Sequence, residues 1–179
     1  MSQRIKQLIF LCLMALSVFS TNVSAEGIKI KSFELEKVDN DWLLNAGFQI
    51  ELSAGLEDAV QKGVVLYFLT EFDLTRSRWY WFDEKLIEVQ RVSKISYQAL
   101  TDKYRVTIGS FSFSAGNLSQ AIAAIGTVDG WPVIDAGAVN NNQTYQAAVR
   151  MRLDTSYLAK PFQVNAINSK DWNLQSEWV

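Results

Sequence analysis

The chain has 179 residues, 49% of them hydrophobic and 20% charged, with one cysteine, two prolines and no histidine. That is one domain's worth of sequence, with too much apolar and aromatic content for a disordered chain. The missing histidine removes the commonest metal ligand and the usual general base at neutral pH, and a single cysteine excludes an internal disulfide and a cysteine-based zinc site.

Residues 1–25 read as a secretory signal peptide. Arg4 and Lys6 give a short basic start, residues 8–18 are apolar and uncharged, and Val23-Ser24-Ala25 puts small residues at the cleavage position, leaving Glu26 as the mature N-terminus. The apolar stretch is short of the ~20 residues a spanning helix needs, which favours a removed signal over a retained anchor. Cys12 follows the large Leu11 and sits inside the apolar run, the wrong setting for lipid attachment. Removal leaves residues 26–179 with no cysteine, and losing Arg4 and Lys6 takes seventeen basic residues to fifteen against nineteen acidic, a net −4. An acidic chain with scattered lysines lacks the concentrated basic surface of a nucleic-acid binder. No later stretch reaches transmembrane length. A cysteine-free exported chain suits a bacterial periplasm, and there the triplet Asn142-Gln143-Thr144 reads as a turn rather than a glycosylation site.

Period-two alternation dominates the rest. Ile28 and Ile30 give way to Phe33 and Leu35, a parity switch that predicts a β-bulge or bend. Trp42, Leu44, Ala46, Phe48, Ile50 and Leu52 form the clearest half-buried strand. Ser53 caps a short helix with Leu56, Ala59 and Val60 inward, Glu57 and Asp58 early, Lys62 late and Gly63 as terminator. Residues 64–69 are apolar on both faces, as a central strand requires. Residues 85–97 place Ile87, Val89, Ile95 and Tyr97 on one parity. Tyr104, Val106 and Ile108 then switch to Phe111 and Phe113 around Gly109-Ser110, again predicting a bulge or a corner between sheets. Asn117 caps a second short helix with Leu118, Ile122 and Ile125 on one face and Gly126 at its end. Tyr145, Ala147, Val149, Met151 and Leu153 repeat the alternation, with Arg150 and Arg152 facing away. No linker, repeat or low-complexity tract interrupts, so residues 26–179 read as one mainly-β domain, an immunoglobulin-like antiparallel β-sandwich with two short helices.

Catalytic motifs are scarce. Carboxylates at Glu57, Asp58, Asp83, Glu84, Asp129, Asp135 and Asp154 could serve a glycosidase-type hydrolase, but most stand at turns or helix starts, where acids are ordinarily solvated. Ser93 and Lys94 are neighbours on a strand and point to opposite faces, so they cannot act together. There is no G-x-S-x-G elbow and no phosphate-binding glycine loop. The sequence therefore indicates no enzyme and no cofactor.

Arginine and tryptophan are more suggestive. Arg76-Ser77-Arg78-Trp79-Tyr80-Trp81-Phe82-Asp83, if extended, puts Arg76 and Arg78 on one side and Trp79 and Trp81 on the other. Were that strand beside the one carrying Arg150 and Arg152, the four arginines would form a basic stripe suited to carboxylate, phosphate or an acidic partner. The bland alternative has the tryptophans in the core and the arginines paired with Asp73, Asp83 or Asp154. Trp42 and Trp172 fall on apolar parities, while Trp131 beside Pro132 reads as the most exposed tryptophan.

The stretch just quoted, with Leu100-Thr101-Asp102-Lys103-Tyr104-Arg105-Val106, Arg152-Leu153-Asp154 leading to Lys160-Pro161-Phe162-Gln163-Val164, and Asp171-Trp172-Asn173-Leu174-Gln175-Ser176-Glu177-Trp178, resembles a proteobacterial exported family. It is known as domain-of-unknown-function family 4390, some members being labelled proline-rich signal peptide proteins. Ala159 departs from a second proline in relatives, and Gln98 from a histidine. The resemblance implies export and a place in envelope signalling beside a two-component sensor kinase; it assigns no catalytic residues.

The function expected from sequence is a non-enzymatic periplasmic module binding an envelope protein partner. Its surface would comprise Arg76, Arg78, Arg150, Arg152, Trp131 and Trp178, with an unpaired C-terminal strand open to edge addition. The alternative is sugar, lipid or other small-molecule binding in an aromatic cleft, or a carboxylate hydrolase. Nothing in the sequence sets an oligomeric state.

Overall fold

The computed structural model describes residues 27–77, 83–140, 142–158, 160, 162–163 and 169–179. The signal-peptide reading of residues 1–25 and the positions Arg78, Trp79 and Trp81 lie outside the described residues. Among the described residues, eight strands form two antiparallel sheets. They are β1 (Gly27–Val38), β2 (Asp41–Glu51), β3 (Leu66–Arg76), β4 (Glu84–Gln98), β5 (Lys103–Ile108), β6 (Phe111–Ala115), β7 (Thr127–Ile134) and β8 (Tyr145–Leu153). The smaller sheet has the order β1-β2-β7 and the larger β6-β5-β4-β3-β8. Helix α1 (Ala54–Gln61) carries the chain from the first sheet to the second, and α2 (Leu118–Ile125) brings it back. This is the expected sandwich with two short helices.

The alternating residues of β2 supply one inner face, with Leu44, Ala46, Phe48 and Ile50 buried. Leu66, Phe68, Phe72, Ile95, Val106, Val149 and Met151 supply the other, and both belong to one apolar cluster. Each of these side chains other than Ala46 contributes roughly 1.5–3 kcal/mol through burial. β3 lies between β4 and β8, which explains its two-faced apolarity: Leu69 points away from the core yet is buried.

The parity switch in β1 is a bulge. Ile30 pairs with Phe48 and Ser32 with Gly47, leaving Lys31 as the extra residue. The switch at Gly109-Ser110 is different. It is neither a bulge nor a corner but a two-residue hairpin, with Ile108 opposite Phe111 and Gly109 at a φ of +57°. Two residues that face each other across such a turn are three apart in sequence, so parity must flip.

Both helix caps form as expected: Ser53 Oγ accepts from the Leu56 N–H at 3.2 Å, and Asn117 Oδ1 from the Gln120 N–H at 2.8 Å. In α2 the buried face is Ala121 and Ile125, with Leu118 and Ile122 on its half-exposed flank. Gly126 ends α2 for a packing reason: a Cβ there would lie 2.4 Å from the Phe48 carbonyl oxygen. That close approach lets the Phe48 N–H donate to the Gly126 carbonyl at 2.7 Å, tying the helix end to β2. Among the described residues no helix is long and apolar enough to cross a membrane.

Candidate functional site

The register of β3 against β8 decides the arginine question. Glu71 faces Arg150 and Leu69 faces Arg152, all on the outer face of the larger sheet. Glu71 is buried, and its carboxylate binds the Arg150 Nε and lies 3.5 Å from the Arg152 Nε. Gln90 on β4 donates to its other oxygen at 3.5 Å. The Arg150 guanidinium carbon stands 4.6 Å from the centre of the Trp178 ring, a cation–π contact. Arg152 also reaches Asp154 at 3.5 Å. One buried acid therefore holds two arginines, and the C-terminal tryptophan covers one of them.

Asp154 begins the next feature. Its carboxylate accepts from the Ser156 N–H at 3.0 Å and caps a 3-10 turn, Thr155–Tyr157, that stacks Tyr157 on Tyr67 with ring centres 4.9 Å apart. Burial pushes the Asp154 pKa up, but the bonds from Ser156 and the charge of Arg152 outweigh it, so the group sits below its ordinary 3.8. A carboxylate depressed in the folded state adds stability above its ordinary pKa, and that stability is lost as pH falls through the folded value. Asp154→Asn is expected to cost about 1 kcal/mol at pH 7. The gap to the native chain should close in melts taken below pH ~4. A gap constant down to pH 3 would show that the charge contributes nothing.

Arg76 is elsewhere. It pairs with Tyr145 on β8, five residues from Glu71, and an odd offset puts it on the opposite face from Arg150 and Arg152. There it binds Glu84 and donates through Nη1 to the Gln143 Oε1 at 3.0 Å. Gln143 also accepts from the Tyr145 hydroxyl at 3.1 Å, beside a cleft of about 270 Å³ lined by Leu35, Trp42, Leu74, Ile134 and Val139. The expected stripe is thus corrected. The two strands are neighbours, but Arg76 belongs to one end of the sandwich and Arg150 and Arg152 to the outer face; Arg78 lies outside the described residues.

The C-terminal segment is not an unpaired strand. Residues 174–179 run antiparallel along the free edge of β8. Leu153 N–H donates to Leu174 O at 2.7 Å, Ser176 N–H to Met151 O at 2.8 Å, and Val149 and Val179 exchange bonds of 2.8 and 3.2 Å. The Ser176 hydroxyl takes the Met151 N–H at 3.0 Å. The edge expected to recruit a partner is occupied by the chain's own tail.

Trp131, expected to be exposed, is half-buried. It pairs with Leu44 across β2–β7, so it faces inward, and the Arg91 guanidinium carbon lies 5.1 Å from its ring centre. Arg91 escaped the sequence reading although a signal was there: like Ser93, which was weighed only as a partner of Lys94, it shares the parity of Val89 and Ile95, which points it between the sheets. Burial lowers the Arg91 pKa. Glu71 escaped because it stands two residues past the doubly apolar stretch 64–69, where no local pattern marks a buried acid.

These features define a two-sheet antiparallel sandwich with a polar cluster on each face of its larger sheet and its own tail along one edge. The chain belongs to the family described as a domain of unknown function, DUF4390, whose model matches residues 25–179. No curated protein and no solved structure matches it.

Proposed function

We propose that the chain is an exported, non-enzymatic recognition module of the cell envelope that binds a protein partner through the outer face of the larger sheet. The observation that carries this reading is the sorting of charge by depth. Glu71 and Asp154 are sunk, while Arg150 and Arg152 keep 29% and 30% of their side chains exposed. Lys94 and Arg105 face the same way from β4 and β5, while Trp178, 40% exposed, lies on Arg150 and Tyr157, 55% exposed, stacks on Tyr67 of β3. Fixed guanidinium groups flanked by aromatic rings are the usual anchors of protein interfaces. Export rests on the signal-like residues 1–25. The acids offered for a hydrolase are in part committed to structure: Asp58 pairs with Lys62, and Asp154 caps a turn.

The test has two arms. The protein from a periplasmic fraction should begin near Glu26. Tagged native chain should retain an envelope protein, the outer domain of a sensor kinase first among those to try, that a Tyr157→Ala/Trp178→Ala variant loses by tenfold or more. An uncleaved chain in the cytoplasm, or equal retention by both proteins, would refute the proposal.

A further inference from the structure

Among the described residues, four side-chain polar atoms are buried without a protein partner, and they belong to three neighbouring side chains: Thr70 Oγ1, Arg91 Nε and Nη2, and Ser93 Oγ. Arg91 is directly opposite Thr70 across the β3–β4 pair, and Ser93 is two residues along the same inner face of β4. Thr70 and Ser93 are 0% and 1% exposed. Buried polar atoms without hydrogen-bond partners are few in native proteins and costly, so four of them on three adjacent residues call for a ligand or solvent that satisfies them. Nε and Nη2 share one edge of the guanidinium and point the same way. That edge is the two-donor fork that matches the two oxygens of a carboxylate. The hydroxyls of Thr70, across the strand pair, and Ser93, two residues along, are further donors.

The same face continues into apolar surface. Ser93 pairs with Ile108, and Ile108 with Phe111, so the three form one row across the sheet, about 10 Å from end to end at the usual strand spacing. Phe113 lies in the next row, opposite Val106. Phe111 and Phe113 carry the inward parity of Ile108 and Val106 yet remain 77% and 45% exposed. A few convergent polar groups at one end of an apolar track is the pattern of a small-molecule site.

From this we infer that the space between β7 and the β4–β6 face binds an amphiphile with a carboxylate head, the head held by Arg91, Thr70 and Ser93 and the apolar body lying over Ile108, Phe111 and Phe113. Trp131 covers the guanidinium from the other sheet, so entry of the head displaces its ring and changes its fluorescence.

Mature chain, refolded from denaturant to strip any carried lipid, is titrated with laurate, with dodecanol and with inorganic phosphate, following calorimetry and tryptophan emission. Laurate should bind saturably with a change in emission, and dodecanol and phosphate at least tenfold more weakly. Arg91→Gln should weaken laurate by tenfold or more while melting within a few degrees of the native chain, because removing an unpaired, partly buried charge offsets the lost contact with Trp131. Phe111→Ser/Phe113→Ser keeps the head site and should also weaken laurate. Dodecanol binding as well as laurate, phosphate binding as well as laurate, unchanged laurate affinity in Arg91→Gln, or no laurate binding to the native chain would each overturn the inference. Retention of a protein partner through the outer face should be the same in Arg91→Gln and native chain, so the two readings fail separately.

Discussion

Deleting residues 174–179 is expected to lower the stability of the sandwich by about 4 kcal/mol or more and to make it associate. The segment makes four backbone hydrogen bonds to β8 and one through the Ser176 hydroxyl, each worth about 1 kcal/mol net. It also brings the buried Leu174, worth about 2 kcal/mol, and the Trp178 cover on Arg150. The deleted chain would present β8 as a bare edge with the apolar residues of its inner face, Tyr145, Ala147, Val149, Met151 and Leu153, still in register, an open template for another strand. Urea unfolding and light scattering should therefore move together, the midpoint falling and the scattering rising. Ser176→Ala/Trp178→Ala should show only part of the stability loss and none of the association, since the backbone bonds persist. A deleted chain that melts like the native protein and stays monodisperse would show that the tail is not part of the fold.

The tail also marks the boundary between what the sequence makes legible and what it does not. Alternation in β2 and β8 is a local property, and it placed Leu44, Phe48, Val149 and Met151 in the core without ambiguity. The bulge at Lys31 and the hairpin at Gly109 both show as parity switches, because the pattern records a change of face and not whether the chain also reverses. Partnership is not local at all. Arg150 was readable as outward-facing, but its acid is 79 residues away, and only the register of β3 on β8 brings them together. The same register separates Arg76 from Arg150, and no count within either strand contains that offset. Arg91 is the opposite case. Its inward direction follows from simple parity with Val89 and Ile95, and a charged residue on an apolar parity is itself a site signal.

Removing the arginines from the outer cluster should cost far more than removing the acid they hold. In Arg150→Met/Arg152→Met the long apolar side chains keep water away, and the Glu71 carboxylate, 8% exposed, is left with Gln90 at 3.5 Å. An unpaired buried charge of this kind costs about 3–5 kcal/mol. The loss of the Arg150–Trp178 contact adds up to about 1 kcal/mol. Glu71→Gln keeps the shape and removes the charge, and its two arginines can rehydrate through the third of their surface that already meets water, so about 1–2 kcal/mol is expected. The triple variant Glu71→Leu/Arg150→Met/Arg152→Met should recover most of the stability, because well-packed apolar replacements of a buried ion cluster are close to neutral. Urea denaturation of the set, read as a mutant cycle, gives the coupling directly. Equal costs for the acid and the arginine pair would mean that Glu71 is better hydrated than its position implies. If the asymmetry is found and the triple variant folds but no longer retains a partner, the cluster is held for recognition: the buried acid serves to fix two guanidinium groups whose outward edges meet the partner.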